Sequence, residues 1–246
     1  MVKPQIIIEN FEGKNNANLE QTRNALIQGK SYQDLSTIRV TPSRGGTMVT
    51  KVVDCWFGMM MPMNQKFTRM TIIGMEVGAA YNSAVETILA SPELSKWKYM
   101  LTLEDDNAPP PDGLLKLYEN MDKFDVIGGL YFVKGIRAPA MIYGNPNETT
   151  KNFVPQLPIL DKDGNGTIQQ CNGLGMGFTL FKIEMFKDPR LSRPFFETVQ
   201  RIDNQGVKCY TQDLHFFERA GNLGYKFACD GRVKVGHYDY ENDIFW

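Results

Sequence analysis

Apolar residues follow two rhythms along this chain. Short apolar runs rich in β-branched and aromatic residues alternate with stretches whose apolar positions recur every three or four residues. The first rhythm predicts strands and the second helices. STIRVT (36–41) reads as a strand, ended by the turn-rich PSRGG, and MVTKVVDCWFGMM (48–60) has helical spacing. FTRMTIIGM (67–75) is a strand and AAYNSAVETILA (79–90) a helix. WKYMLTL (97–103), PDGLLKLYENMDK (111–123) and DVIGGLYF (125–132) repeat the strand, helix, strand order. Strands separated by helices of this length imply βαβ crossovers, hence an α/β fold with a mostly parallel central sheet.

The two ends of the chain read differently. Residues 1–35 are polar after a short apolar patch, with a short helix predicted over 18–28 and Gly29 as its stop. They are set apart as an N-terminal extension on a domain spanning 36–246. In the second half, APAMIY (138–143) and FVPQLPIL (153–160) are extended, and a hairpin is predicted over 157–171. GFTLFKIEMF (177–186) is a strand running into a short helix. TQDLHFFERAGNLG (211–224) is a helix that Thr211 can cap, with Gly224 past its end. YKFAC and RVKVGHY form short strands on either side of Asp230-Gly231.

Composition narrows the function classes. A formal charge of −1 gives no global pull toward nucleic acid or anionic lipid. The four cysteines, Cys55, Cys171, Cys209 and Cys229, form no C-x-x-C pair, which points to reduced thiols and a cytoplasmic location. The longest apolar run falls far short of the roughly 20 residues of a membrane helix.

The chemistry concentrates where one strand stops. LTLEDDNAPPP (101–111) ends an apolar run in three adjacent acids. Open α/β sheets bind ligands beyond the carboxyl ends of their strands. Glu104, Asp105 and Asp106 repel one another there unless a divalent cation lies between them and a polyanion. Oxygen ligands suit Mg²⁺ or Mn²⁺, which keep positions open for phosphate. The prolines stop the strand and start the next helix. The plainer alternative is a solvated acidic turn with Asp112 favoured by the helix dipole.

WKYMLTLEDDNAPPPDGLLKLYENM resembles the strand, D-x-D motif and following helix of GT-A-fold glycosyltransferases, family 2-like enzymes in particular. CNGLGMGFTLFKIEMFK resembles their Gly-rich segment, and TQDLHFFERAGNLGYKFACDGRVKVGHYD their E-D helix and the strand pair ending in histidine. The ordered set covers about residues 36–240. It implies a GT-A fold, a Rossmann-like nucleotide-diphospho-sugar transferase architecture, and transfer of a sugar to an acceptor hydroxyl. The compact chain also resembles phage-type glycosyltransferases.

The resemblance assigns roles by position. Asp106 is the implied metal ligand and Glu104 and Asp105 the implied donor contacts, with Glu104 a longer acid than the family carries. His237 is implied to complete the sphere of Mn²⁺ or Mg²⁺, which requires the two side chains within about 10 Å of each other. Asp213 is the implied general base of an inverting reaction, and Gln212, which replaces the family's Glu, an implied acceptor contact. Thr41, Pro42 and Arg44 fall where the nucleoside binds. Asn82 matches the family's Asn, while Tyr81 stands where Arg is common. Gly175 and Met176, in NGLGMGF, are implied acceptor contacts. His215 has the weaker claim of the two histidines.

The implied donor is a nucleoside-diphosphate sugar. The acceptor hydroxyl stays open among saccharide, lipid-linked sugar, protein and modified DNA base. Two rivals remain: a nucleotidyltransferase, for which SRGG is a thin phosphate-loop signature, and a non-catalytic nucleotide-sugar-binding protein. DKDGNGTIQQCN (161–172) matches part of a calcium loop but carries Asn172 where a bidentate Glu is needed. It reads as a hairpin tip. MMMPM (59–63) reads as adaptable core. HYDYENDIFW folds over the site or packs on the extension.

Overall fold

A computed structural model of the protein describes residues 5–8, 33–148, 152–203 and 206–246, with positions 24 and 28. In chain order the strands begin with β1 (Gln5–Ile8), β2 (Thr37–Ser43), β3 (Phe67–Ile73), β4 (Tyr99–Leu103) and β5 (Asn107–Ala108). Next come β6 (Val126–Leu130), β7 (Ile142–Tyr143), β8 (Ile168–Cys171), β9 (Gly173–Leu174) and β10 (Phe178–Lys182). The last are β11 (Val199–Asp203), β12 (Gly206–Tyr210), β13 (Phe227–Lys234), β14 (Gly236–Asp239) and β15 (Ile244–Phe245). Among the described residues the α-helices with defined ends are α1 (Thr50–Phe57), α2 (Val77–Ala90), α3 (Gly113–Tyr118) and α4 (Gln212–Asn222).

Among the described residues the main sheet has the order β1-β3-β2-β4-β10-β6-β13-β8. Strands β2, β3, β4, β6 and β13 share one direction. β10 runs against its neighbours inside the sheet, and β1 and β8 run against theirs at the edges. The sheet is mixed with a mostly parallel core, so the α/β expectation stands. Period-two alternation feeds both faces: on β4, Met100 joins the core beneath α2 and α4, while Leu101 and Leu103 join the core beneath α1 and α3. No helix among the described residues is long and apolar enough to cross a membrane.

The first core positions the chemistry. Phe181, Phe186, Phe195, Phe196, Phe216 and Phe217 interlock, with Phe196 stacked on Phe216 at 4.7 Å and Tyr81 packed on Phe196 at 5.6 Å. Each such fully buried ring contributes about 1.5–3 kcal/mol. The cluster fixes the start of α4 against the start of α2. Gly78 lets that approach happen, since a Cβ there would meet Gln212 Cβ at 3.3 Å.

Several local expectations change. Gln5–Ile8 pairs antiparallel with β3, so part of the stretch set apart as an extension belongs to the sheet. Its three consecutive isoleucines suit an edge strand. The helix predicted over 18–28 lies outside the described residues, apart from helical positions 24 and 28. α3 is shorter than 111–123, because i→i+3 bonds from Glu119 and Met121 tighten its end. The 157–171 hairpin is reduced to its tip: Leu160 bridges Gly166, but β8 pairs with β13. Pro155 and Pro158 withhold the donors an upstream arm would need. The two strands expected around Asp230-Gly231 are one, β13, with a register shift between Asp230 and Lys234. Thr211 takes the N-cap position of α4 but gives that helix no side-chain cap.

Candidate functional site

β2, β3 and β4 end on one edge, as their shared direction requires. Beyond them lies a cavity of about 800 Å³. Pro42, Ser43 and Arg44 form one wall, Gly74 to Val77 a second, and Glu104, Asp105, Asp106 and Gln212 the rest. Pro42 is tolerated in β2 because the β2–β4 ladder stops at Val40, so no neighbour there asks for its missing N–H. Thr41 is fully buried inside the sheet and does not line the cavity. The residue lies within the strand, one position before the cavity wall begins.

The acidic turn is held on every side. The Asn107 amide closes it onto the Glu104 carbonyl at 3.1 Å, and the Glu104 amide donates to Gly177 O at 3.1 Å. The Trp56 indole donates to Asn107 O at 2.7 Å. β14 runs alongside, with the Tyr238 amide donating to Asp106 O at 2.7 Å. The Tyr240 hydroxyl donates to Asp105 O at 3.3 Å. The closing aromatic segment thus packs along the acidic turn.

Asp106 and His237 face each other. His237 Nε2 lies 3.3 Å from Asp106 Oδ2, while Nδ1 lies 2.7 Å from the Phe132 carbonyl. A carbonyl only accepts, so Nδ1 donates its proton to Phe132 O, and that bond orients Nε2 toward the carboxylate. Tyr131 packs edge-on against the imidazole at 5.5 Å and fixes its plane. Lys134, absent from the sequence expectations, donates to Asp106 Oδ2 at 2.6 Å. Burial alone would raise the Asp106 carboxyl, but the His237 and Lys134 bonds outweigh it and hold the group below the usual aspartate value.

The remaining acids are driven the other way. Burial, then the Asp106 charge, pushes Glu104 up to about 7 against the lowering effect of the Tyr81 hydroxyl, which donates to Oε1 at 3.0 Å. Burial raises Asp105, with Ser43 pulling it partly back. Asp213 is 7% exposed at the first turn of α4. Burial raises it too, opposed by the Thr211 hydroxyl and the Leu214 amide, both donating to Oδ1. An acid-lined cleft of this kind favours a cation.

Two further sets of implied contacts lie in the packing around the site. Both ends of the Asn82 amide bind backbone: Nδ2 donates to Phe196 O at 2.6 Å and Oδ1 accepts from Phe196 N at 2.9 Å. Asn82 ties α2 to the Phe196 segment. Met176 is core, and Gly175 lies under the Tyr131 hydroxyl, where a Cβ would fall 2.1 Å from that oxygen. These positions pack beneath the site. His215 is buried and bonded to the Glu197 carbonyl, consistent with its weaker claim. In the 161–172 loop, Asp161 Oδ1 accepts from the Asp163 and Asn165 amides, which makes it a turn former.

Among the described residues no group of three or more His, Cys, Asp or Glu side chains converges as a metal site. Asp106 and His237 are a pair. Such a pair suits Mg²⁺ or Mn²⁺, whose remaining positions go to phosphate and water.

No protein-family model matches the chain, and no curated protein matches it. Solved structures do. A197 from STIV superposes with a TM-score of 0.58 at 18% identity, covering 85% of this chain and 92% of that one. GalNAc-T7, in a crystal structure with UDP, GalNAc and Mn²⁺, superposes at 0.52 with 10% identity, covering 91% of this chain and 53% of that one. Likeness at these identities concerns architecture, and the architecture is the GT-A fold.

Proposed function

We propose that this chain is a metal-dependent glycosyltransferase that moves a sugar from a nucleoside diphosphate to an acceptor hydroxyl with inversion. The observation that carries the reading is the 3.3 Å approach of His237 Nε2 to Asp106 Oδ2, with Nδ1 anchored on Phe132 O. Asp106 and His237 would hold Mn²⁺ or Mg²⁺. That ion, when bound, would neutralise charge on the diphosphate. The GT-A fold shared with GalNAc-T7, whose structure contains UDP, GalNAc and Mn²⁺, makes UDP-sugars and Mn²⁺ the first compounds to test.

The remaining roles fall to this chain's own groups. Arg44, Pro42 and Ser43 wall the side of the cavity suited to the nucleoside, and Gln212 closes it near α2. Asp213 Oδ1 already accepts two hydrogen bonds, so Oδ2 takes the acceptor proton. The acceptor oxygen attacks the anomeric carbon as the carbon–diphosphate bond breaks, and the diphosphate leaves with that electron pair. A carboxylate raised toward neutrality is better matched to this transfer than an ordinary aspartate. The acceptor class stays as open as the sequence leaves it.

The test is UDP-sugar turnover, hydrolytic or to added acceptors, with Mn²⁺ and with chelator. Asp106→Asn and His237→Ala should abolish the Mn²⁺ response. Asp213→Asn should lower kcat by roughly a hundredfold or more while donor binding persists. Turnover indifferent to Asp213→Asn would remove the base assignment. Donor binding without any turnover would favour a binding protein.

A further inference from the structure

Asp106 Oδ2 has two neighbours, Lys134 Nζ at 2.6 Å and His237 Nε2 at 3.3 Å. The Lys134 ammonium also rests 5.4 Å from the centre of the Tyr240 ring, within cation–π range. The acidic turn therefore already holds a positive charge, on the oxygen that a divalent cation would take. Two cations cannot share that oxygen cheaply, because like charges this close repel even under protein-surface screening. A metal arriving at Asp106 must turn the ammonium away.

Lys134 is able to move. Its side chain is 30% exposed on the loop between β6 and β7, and Gly135 follows it at a φ of +125°. A lysine stem swings by side-chain rotation alone, and the Tyr240 ring gives the ammonium a resting face throughout. The Tyr240 ring is uncharged, so it cannot stand in for the ion pair with Asp106. The partner best able to replace Asp106 is then an incoming anion.

We propose that Lys134 is a diphosphate-binding residue parked on Asp106, and that a divalent cation and a diphosphate displace it together. The proposal rests on the donor-site reading above and adds to it a cation supplied by the chain. Metal alone must compete with the ammonium, so it binds weakly. Diphosphate arriving with the metal accepts a charge-assisted hydrogen bond from the released ammonium. The two ligands therefore bind cooperatively.

Calorimetric titration of the full chain separates the possibilities, using Mn²⁺ alone and inorganic pyrophosphate in excess Mg²⁺ on wild type, Lys134→Met and Lys134→Arg. Lys134→Met should bind Mn²⁺ roughly tenfold tighter and pyrophosphate roughly tenfold weaker. Lys134→Arg should stay within about threefold of wild type for pyrophosphate. Opposed shifts are a signature that general loosening would not produce, and melting temperatures check that each variant is folded. If wild type binds both probes and Lys134→Met is unchanged in both, or moves the same way in both, the role of Lys134 is overturned and the donor site stands. If wild type binds neither probe, the donor-site reading falls and Lys134 falls with it.

Discussion

Tyr131 stands on Gly175: its hydroxyl occupies the space where any larger residue would place a Cβ, 2.1 Å away. The same hydroxyl accepts the Gly177 amide at 2.9 Å, and the same ring packs on His237. Gly175→Ala should therefore cost about 1–3 kcal/mol as an overpacked core, and it should also weaken Mn²⁺ binding by displacing the imidazole. Tyr131→Phe removes the clashing oxygen. The double variant should recover part of the lost stability, a coupling that chemical denaturation of all four proteins would measure. Additive effects would show that the two residues do not press on each other.

Asn82 gives a sharper contrast between supporting structure and touching ligand. Replacing it with Ala leaves the Phe196 amide and carbonyl without their partners. Stability should fall by about 1–3 kcal/mol, the usual cost of stranded polar groups, while the KM for the donor holds. A raised KM with an unchanged melting temperature would return Asn82 to the donor.

These cases mark what was legible in the sequence. The alternation of strands and helices was readable because each element carries its own periodicity, and the acidic turn was readable because it ends a strand. Asp106 and His237 lie 131 positions apart in sequence, yet their meeting was legible because β14 follows the last helix in a recognisable order. Position implied a role for Asn82, but its bond to Phe196 was not legible, because that partner lies 114 residues away. Tyr81 read as a lost cation; the fold gives its hydroxyl to Glu104. Lys134 carries no motif, although it follows β6, whose carboxyl end shares the edge with β4. Applying the strand-end rule to every strand would have flagged that loop.

The base assignment has a pH signature. Burial raises Asp213 above the usual aspartate value, and a protonated base cannot accept the acceptor proton. The acid limb of kcat should therefore lie above the ordinary aspartate value. The Thr211 hydroxyl opposes this rise, so Thr211→Val should move the limb to still higher pH while leaving the plateau rate at high pH near wild type. A limb that ignores Thr211→Val would assign the titration to another group.

Glu104 should shape stability in the metal-free protein. Its carboxyl is held at about 7, against an ordinary glutamate value near 4.5. The folded state thus binds the proton more tightly than the unfolded chain does. The stability this contributes is fully present below the ordinary value, is lost as pH rises through the folded value, and stays lost above it. With chelator present, urea denaturation at about pH 5 and about pH 8 should find wild type losing more stability between the two than Glu104→Gln, which has no proton to release. Tyr81→Phe removes a bond that favours the ionised form, so it should push the decline to higher pH. If wild type and Glu104→Gln share one pH dependence, the carboxylate at the end of β4 is not held proton-bound by its surroundings.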